Sequence, residues 1–202
     1  MNESRPQSVA SMSEEAGARA QVYHLLGALL AASPDQTMLD AVGTLAIEDG
    51  ADTPFVEALR EMRAEATKIK PDVLQGEYFN LFIGLGRGEL LPYASWYVQG
   101  ALMERILADL RQDLKRMGFE RQTDVREPED HVAALCETMG MIIAEPGLSL
   151  EQSTFFDTYI GSWMGKFFQD LEAAEGAEFY AVVGRLGRQF IDIEQQYFAL
   201  PM

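Results

Sequence analysis

An all-α fold is predicted for this chain by three observations. Apolar side chains recur at helical spacing through almost the whole sequence. No stretch shows the apolar–polar alternation of a half-buried strand. Hydroxyl, proline and glycine signals fall where the apolar stripes should start and stop. The expected architecture is a single helical domain of about eight to ten helices, the alternative being two helical subdomains joined at an elbow over 118–128. Residues 1–12 read as a disordered tail. The domain then runs over 13–202, with an N-terminal part 13–117, a hinge 118–128 centred on Arg126, Glu127 and Pro128, and a C-terminal part 129–202.

The first helix should start near Ser13, carry Ala20, Tyr23, His24, Gly27, Leu30 and Ala31 on one side, and stop at Ser33-Pro34. His24 reads as a packed or partly exposed histidine, since no partner stands at ligand spacing. A short helix over 35–47 and a turn over 48–52 follow. Thr53-Pro54 is a start signal, a hydroxyl cap followed by a proline whose missing N–H costs nothing in the first turn. That helix should reach about Lys70, with Phe55, Leu59, Met62 and Ala66 inward. Pro71 opens the next, over 72–83, with Leu74, Tyr78, Leu81 and Phe82 inward. Gly84-Leu85-Gly86-Arg87-Gly88 lacks the Lys-Ser/Thr ending of a phosphate loop and no strand precedes it, so it reads as a flexible loop.

Ser95 can cap a helix over 96–117 bearing the stripe Met103, Ile106, Leu107, Leu110, Leu114 and Met117. Arg111, Lys115 and Arg116 in its last turns suit the helix dipole. A helix over 128–145 has Val132, Leu135, Cys136, Met139, Ile142 and Ile143 at helical spacing. Ser149 with Gln152 has the pattern of a capping box. The segment 151–175 carries Phe155, Phe156, Tyr159, Ile160, Trp163, Met164, Phe167, Phe168 and Leu171, a stripe wide enough to pack on two sides. Gly161 and Gly165 within it suggest close helix packing. The last helix, 178–198, turns Phe179, Val182, Val183, Leu186, Phe190, Ile193 and Tyr197 inward.

The charge balance excludes some functions. Thirty-two acidic residues against sixteen basic ones give −16, which disfavours a phosphate backbone or an anionic membrane surface as partner. It favours a basic partner, or solubility alone. The single cysteine, Cys136, lies on an apolar stripe and reads as a buried hydrophobe. The first thirteen residues lack the apolar run of a signal peptide, and no window reaches the ~20 apolar residues of a membrane span. A cytoplasmic protein without stable membrane insertion is expected.

Two stretches could carry chemistry. Asp124–Val132 packs four acids, a proline and one of the two histidines into nine positions. With Glu127 as cap and Pro128 as first helical residue, Glu129 and Asp130 would sit in the first turn, where the dipole favours carboxylates. That accounts for the acids but not for His131. A lone histidine with carboxylates has no zinc spacing, and an Asp130–His131 dyad has no nucleophile nearby, so neither metal, cofactor nor enzymatic activity is expected. Recognition of a basic ligand is the other reading. The second stretch, Pro92-Tyr93-Ala94-Ser95-Trp96-Tyr97, gathers three aromatics around a cap. They are either core and cap or the lining of an apolar groove.

Glu77-Tyr78-Phe79-Asn80-Leu81-Phe82-Ile83-Gly84 followed by Pro92–Tyr97 resembles the first signature of the TorD/DmsD family of redox-enzyme maturation chaperones. Glu127-Pro128-Glu129-Asp130-His131-Val132, leading to Leu135 and Met139, is similar to the second. Trp96 departs from the smaller aliphatic residue more usual there, and the residues after His131 are less acidic than the pattern. The resemblance spans 16–198. It implies an all-helical cytoplasmic chaperone, not an enzyme, that binds the twin-arginine signal peptide of a molybdenum- or tungsten-cofactor oxidoreductase and holds it until cofactor insertion is complete. By motif match the peptide-binding residues would be Asp130, His131 and Tyr93, with Glu127, Pro128, Ser95, Trp96 and Tyr97 around them. A monomer is expected. Domain-swapped dimers and weak guanine-nucleotide binding are associated with some members, and the elbow is where a swap hinge would sit. Two alternatives remain: an assembly chaperone for a non-exported nitrate-reductase-type subunit, and a nucleotide-binding protein or hydrolase using Asp130 and His131. Independently of the resemblance, a signal with a basic start and an apolar core needs carboxylates beside an apolar groove.

Overall fold

The computed structural model describes residues 13–47, 52–121 and 127–200. The expected tail, the turn after residue 47 and Arg126 of the hinge lie outside them. Ten α-helices are found among the described residues: α1 (Glu14–Ala31), α2 (Gln36–Gly43), α3 (Pro54–Ala66), α4 (Pro71–Tyr78), α5 (Ala94–Gln99), α6 (Arg105–Arg116), α7 (Val132–Ala144), α8 (Glu151–Tyr159), α9 (Met164–Glu172) and α10 (Phe179–Ala199). A π turn over Phe79–Ile83 extends α4, and a 3-10 turn over Pro146–Leu148 precedes α8. No strand is present among the described residues, so the fold is all-α.

The start signals work as their chemistry requires. Ser13, Asp35 and Thr53 each turn a side-chain oxygen onto a free N–H at the head of α1, α2 and α3. The long helices pack in pairs, α1 along α7 and α9 along α10, with α3 also on α10. The α1–α7 and α3–α10 packings cross residues 118–128, and one hydrophobic cluster takes buried side chains from both sides of that segment. The chain therefore forms one domain rather than two helical subdomains. The nine apolar residues read from the stripe over 151–175 are all buried, as are the six of α7.

Two expected helices are each broken in two. The run over 96–117 ends first at Gly100, a left-handed residue (φ 75°), and restarts as α6. Met103 falls in the break at φ 60° and is exposed rather than core. The run over 151–175 breaks at 160–163, where the N–H groups of Ile160 and Gly161 both reach back to the Phe156 carbonyl. The Trp163 indole N–H caps the freed Tyr159 carbonyl at 2.7 Å. The capping box at Ser149 does not form, because Ser149 ends the 3-10 turn and α8 begins without a side-chain cap. α2 and α3 both stop short, at Gly43 and Ala66. On α10 the inward face rotates near the end: Ile193 and Tyr197 are exposed, while Ile191 and Glu194 are buried.

Long-range polar contacts finish the frame. Both oxygens of Glu77, on α4, accept from the backbone N–H groups of Glu178, Phe179 and Tyr180 at 2.8, 3.2 and 2.7 Å, capping α10 from another helix. Arg19 and Glu194 form a buried two-pronged pair at 2.6 and 2.8 Å between α1 and α10. The Arg19 guanidinium also lies 3.9 Å from the centroid of the Tyr197 ring.

The glycines that permit close approach are not the expected pair at 161 and 165. Gly161 lies in the break between α8 and α9, and Gly184 brings α10 onto α9. A Cβ on Gly184 would stand 2.5 Å from the Glu172 nitrogen and 2.8 Å from the Phe168 oxygen, both backbone atoms that cannot rotate away. Gly184→Ala should therefore lower stability by about 1–3 kcal/mol through forced separation of the two helices, read as a reduced midpoint in urea unfolding.

Candidate functional site

The two signature stretches are joined by backbone. Tyr93 and His131 form an isolated antiparallel bridge, in which Ala94 N–H donates to the Asp130 carbonyl at 3.0 Å and Val132 N–H to the Pro92 carbonyl at 2.8 Å. The Asp130 carboxylate then accepts from Ser95 N–H at 3.0 Å. Asp130 thus supplies acceptors to the first two N–H groups of α5, although it lies 35 positions from Ser95. His131 caps its own helix, its Nδ1 accepting from Ala133 N–H at 3.2 Å. The Tyr93 ring meets the His131 ring edge-on at 5.1 Å, and its hydroxyl donates to Glu127 at 2.5 Å.

This geometry corrects the sequence expectation for where helices begin. Ser95 is not a cap but a buried residue of the first turn of α5, and its hydroxyl oxygen accepts from Met103 N–H at 3.3 Å. α7 starts at Val132 rather than Pro128. Pro128–His131 makes a turn closed by His131 N–H on the Pro128 carbonyl, and His131 is extended (ψ 139°) to meet Tyr93. Glu129 and Asp130 therefore precede the helix instead of occupying its first turn.

The expected binding residues separate into two groups. Asp130 (1% exposed), His131 (6%) and Ser95 (0%) are buried and hold the frame. Tyr97 faces the scaffold, its ring against Trp163 and its hydroxyl on Asp170 at 3.2 Å. Trp96 lies under the Arg87 guanidinium, 4.8 Å from the ring centroid. Pro128 and Tyr93 are half-buried, and Glu127 is exposed. One oxygen of Asp130, Oδ1, is buried without a hydrogen-bond partner. Among the described residues it is the one buried side-chain acceptor of this cluster without a partner.

Beside the cluster lies a cleft of about 410 Å³ between the end of α6 and the outer face of α7. Glu120, Glu127, Glu129 and Glu137 line it together with Arg111 and Arg121. Leu114, Phe119, Ala134, Thr138 and Met141 supply the remainder of its walls. Glu127 and Glu129 belong to the elbow read from sequence, but Glu120, Glu137 and the apolar wall were missed. The signal was present, since Ala134, Glu137, Thr138 and Met141 repeat at 0, 3, 4 and 7 along α7, a second stripe opposite its core face. The Glu129 carboxyl is held below its usual range. Burial acts to raise it, but the hydrogen bond from Arg111 and the charges of Arg111 and Arg121 outweigh that. Burial and then the bond to Glu127 push the Tyr93 hydroxyl well above its ordinary pKa, so it stays a donor.

Among the described residues no group of three or more histidine, cysteine, aspartate or glutamate side chains is placed to hold a metal ion, and no helix is long and apolar enough to cross a membrane. Close packing explains Gly84 and Gly88 of the 84–88 loop, and a left-handed φ of 97° explains Gly86. A Cβ on Gly84 would stand 2.1 Å from the Arg87 carbonyl oxygen, and φ is 63° there.

A helical domain whose two signature stretches are joined by a backbone bridge defines a class, and comparison with known proteins places the chain within it. The family model described as nitrate reductase delta subunit matches residues 48–169, more than half of the chain. The chain belongs to that family. It is 26% identical over 204 residues to the chaperone protein TorD of Aliivibrio fischeri, covering 90% of this chain and 94% of that one. It is 25% identical to the chaperone protein TorD of Vibrio atlanticus over the same shares of each. The resemblance to TorD-type proteins read from the two motifs thus extends over nearly the full length. An Archaeoglobus fulgidus protein named for redox-enzyme maturation shares the fold, with TM-score 0.61, 22% identity, and coverage of 93% of this chain and 99% of that one.

Burial lowers the His131 pKa to about 4, against the raising effect of Glu127 and Asp130. The unfolded chain, with a histidine pKa of about 6.5, binds the proton first. Above about pH 6.5 both states are neutral and stability is unaffected; as pH falls from there to about 4, stability is lost, by up to about 3 kcal/mol. Unfolding titrations across that range should show the loss, and nuclear magnetic resonance should find the His131 ring unprotonated at pH 5.5. Asp130→Ala keeps the carbonyl that serves Ala94 but should cost about 1–3 kcal/mol by leaving the buried Ser95 N–H without its acceptor, measurable in the same unfolding experiment.

Proposed function

We propose that the protein is a non-catalytic maturation chaperone that binds the twin-arginine signal peptide of a molybdenum- or tungsten-cofactor oxidoreductase. It acts in the cytoplasm and holds the precursor until the cofactor is inserted, before export. The observation that carries this reading is the cleft itself, where four carboxylates stand beside an apolar wall. A signal peptide with a basic start and an apolar core presents the complementary pattern. Guanidinium groups pair with carboxylates in two-pronged fashion, and Glu127 and Glu137 stand exposed for that role. Exposed ion pairs contribute only about 0–1 kcal/mol each, so affinity rests mainly on burying the apolar segment against Leu114, Phe119 and Met141, at roughly 25 cal/mol per Å². The charges set orientation and encounter rate, supported by the net charge of −16.

The roles of the signature residues follow from their placement. Asp130, His131 and Ser95 hold α5 and α7 in register. Glu127, tied to Tyr93, carries the signature to the cleft. Asp130 Oδ1 is available to a donor from a peptide that parts the turn at Pro128. The family's own description favours a second reading, an assembly chaperone for a nitrate-reductase-type subunit that is never exported. Binding to a mature oxidoreductase whose leader has been deleted would select that reading.

A synthetic twin-arginine signal peptide is expected to bind the purified protein by calorimetry. Glu127→Gln with Glu137→Gln should weaken it about tenfold, while Glu14→Gln with Glu15→Gln at the exposed head of α1 should not. Equal affinity in all three proteins would exclude the cleft as the binding site.

A further inference from the structure

The cleft already holds two arginines of its own. Arg111 Nε and Nη2 both reach Glu129 Oε2 at 2.9 Å. Arg121 approaches the other oxygen, Oε1, at 3.6 Å and donates from Nη2 to the Glu127 carbonyl at 3.1 Å. Glu129 is the least exposed partner of the group, at 16% for its side chain, whereas Arg111 and Arg121 are about half in solvent, at 50% and 41%. A shielded carboxylate is thus paired with two half-exposed guanidinium groups contributed from α6 and the segment after it.

We infer that Arg111 and Arg121 are specificity-determining residues that occupy Glu129 as an internal stand-in for the ligand's arginine pair and must be exchanged for it. This rests on the proposed reading of the cleft as a twin-arginine site. The exchange favours one ligand chemistry. A guanidinium displacing a guanidinium replaces like with like, keeping the planar fork and its paired donors. An ammonium is a compact, strongly hydrated point charge, and cannot reproduce two parallel hydrogen bonds on one carboxylate. A ligand with two lysines therefore loses the competition, while one with two arginines comes close to breaking even and is retained by its apolar segment. An open cluster of carboxylates would attract any basic peptide. The internal pair raises the threshold against all of them and lets arginine pass.

The test compares the full-length protein with Arg111→Gln/Arg121→Gln, each titrated by calorimetry with a twin-arginine signal peptide and with the same peptide carrying two lysines. Arg60→Gln/Lys68→Gln, on surface cations remote from the cleft, controls for the change in net charge, and thermal melting verifies the fold of each variant. In the Arg111/Arg121 variant the lysine peptide should gain affinity roughly tenfold and the arginine peptide roughly threefold or less, so that discrimination between them falls. The control should leave the ratio as in the parent. Equal gains for both peptides, or a ratio unchanged by the substitution, overturn the exchange while leaving peptide recognition intact. Weaker binding of the arginine peptide in the variant also overturns it, by making the two arginines part of the binding wall. If neither peptide binds the parent protein, the reading of the cleft fails and the inference falls with it.

Discussion

The arrangement of the site depends on one side chain, the buried carboxylate of Asp130, and on the short backbone bridge beside it. Through its own carbonyl and one carboxylate oxygen, Asp130 satisfies both leading N–H groups of α5. The next residue, His131, caps α7. Two helices from distant parts of the chain are thus pinned at their heads to one dipeptide. A buried carboxylate carries a large desolvation cost unless hydrogen-bonded, so the pairing is strongly directional: α5 and α7 can leave this junction only along the lines the caps permit. Asp130, His131 and Ser95, which read from sequence as ligand contacts, are thus also the residues that set these two helix heads. Glu127 and the outer face of α7 lie one layer further out, at the cleft.

The polar contacts of the molecule divide by environment. The Arg19–Glu194 pair is dry, two-pronged and covered by Tyr197 and Phe198. Removal of either partner would leave a buried charge, which makes the pair a determinant of how α1 sits on α10. The pairs at the cleft are half in solvent and individually weak.

Much of the fold was legible because burial imposes periodicity. The stripes of α7 and of the 151–175 segment predicted their buried residues correctly, and the hydroxyl and proline signals at Ser13 and Thr53 marked true helix starts. What periodicity does not register is a break that preserves phase. At 160–163 the chain turns, yet Ile160, Trp163 and Met164 stay buried on the same side, so the stripe runs on while the helix does not. Gly100 was visible as a residue but its left-handed conformation was not. At the site, the two motifs were read as one working region, and they do meet. Their burial was not readable, because a cap donated across 35 positions leaves no local trace. Nor was the wall formed by α6 and α7, since it depends on how those helices are placed.

Glu77 has a consequence for the order in which the molecule can be completed. Its three donors lie about a hundred positions further along the chain. During synthesis from the N-terminus, α4 emerges long before α10 exists, and until then this carboxylate must remain hydrated, which keeps its surroundings open to water. An early native-like core around α4 would enclose an unpaired charge. Drying of the interior around α4 is thereby tied to α10, whose leading N–H groups are what let this carboxylate leave water.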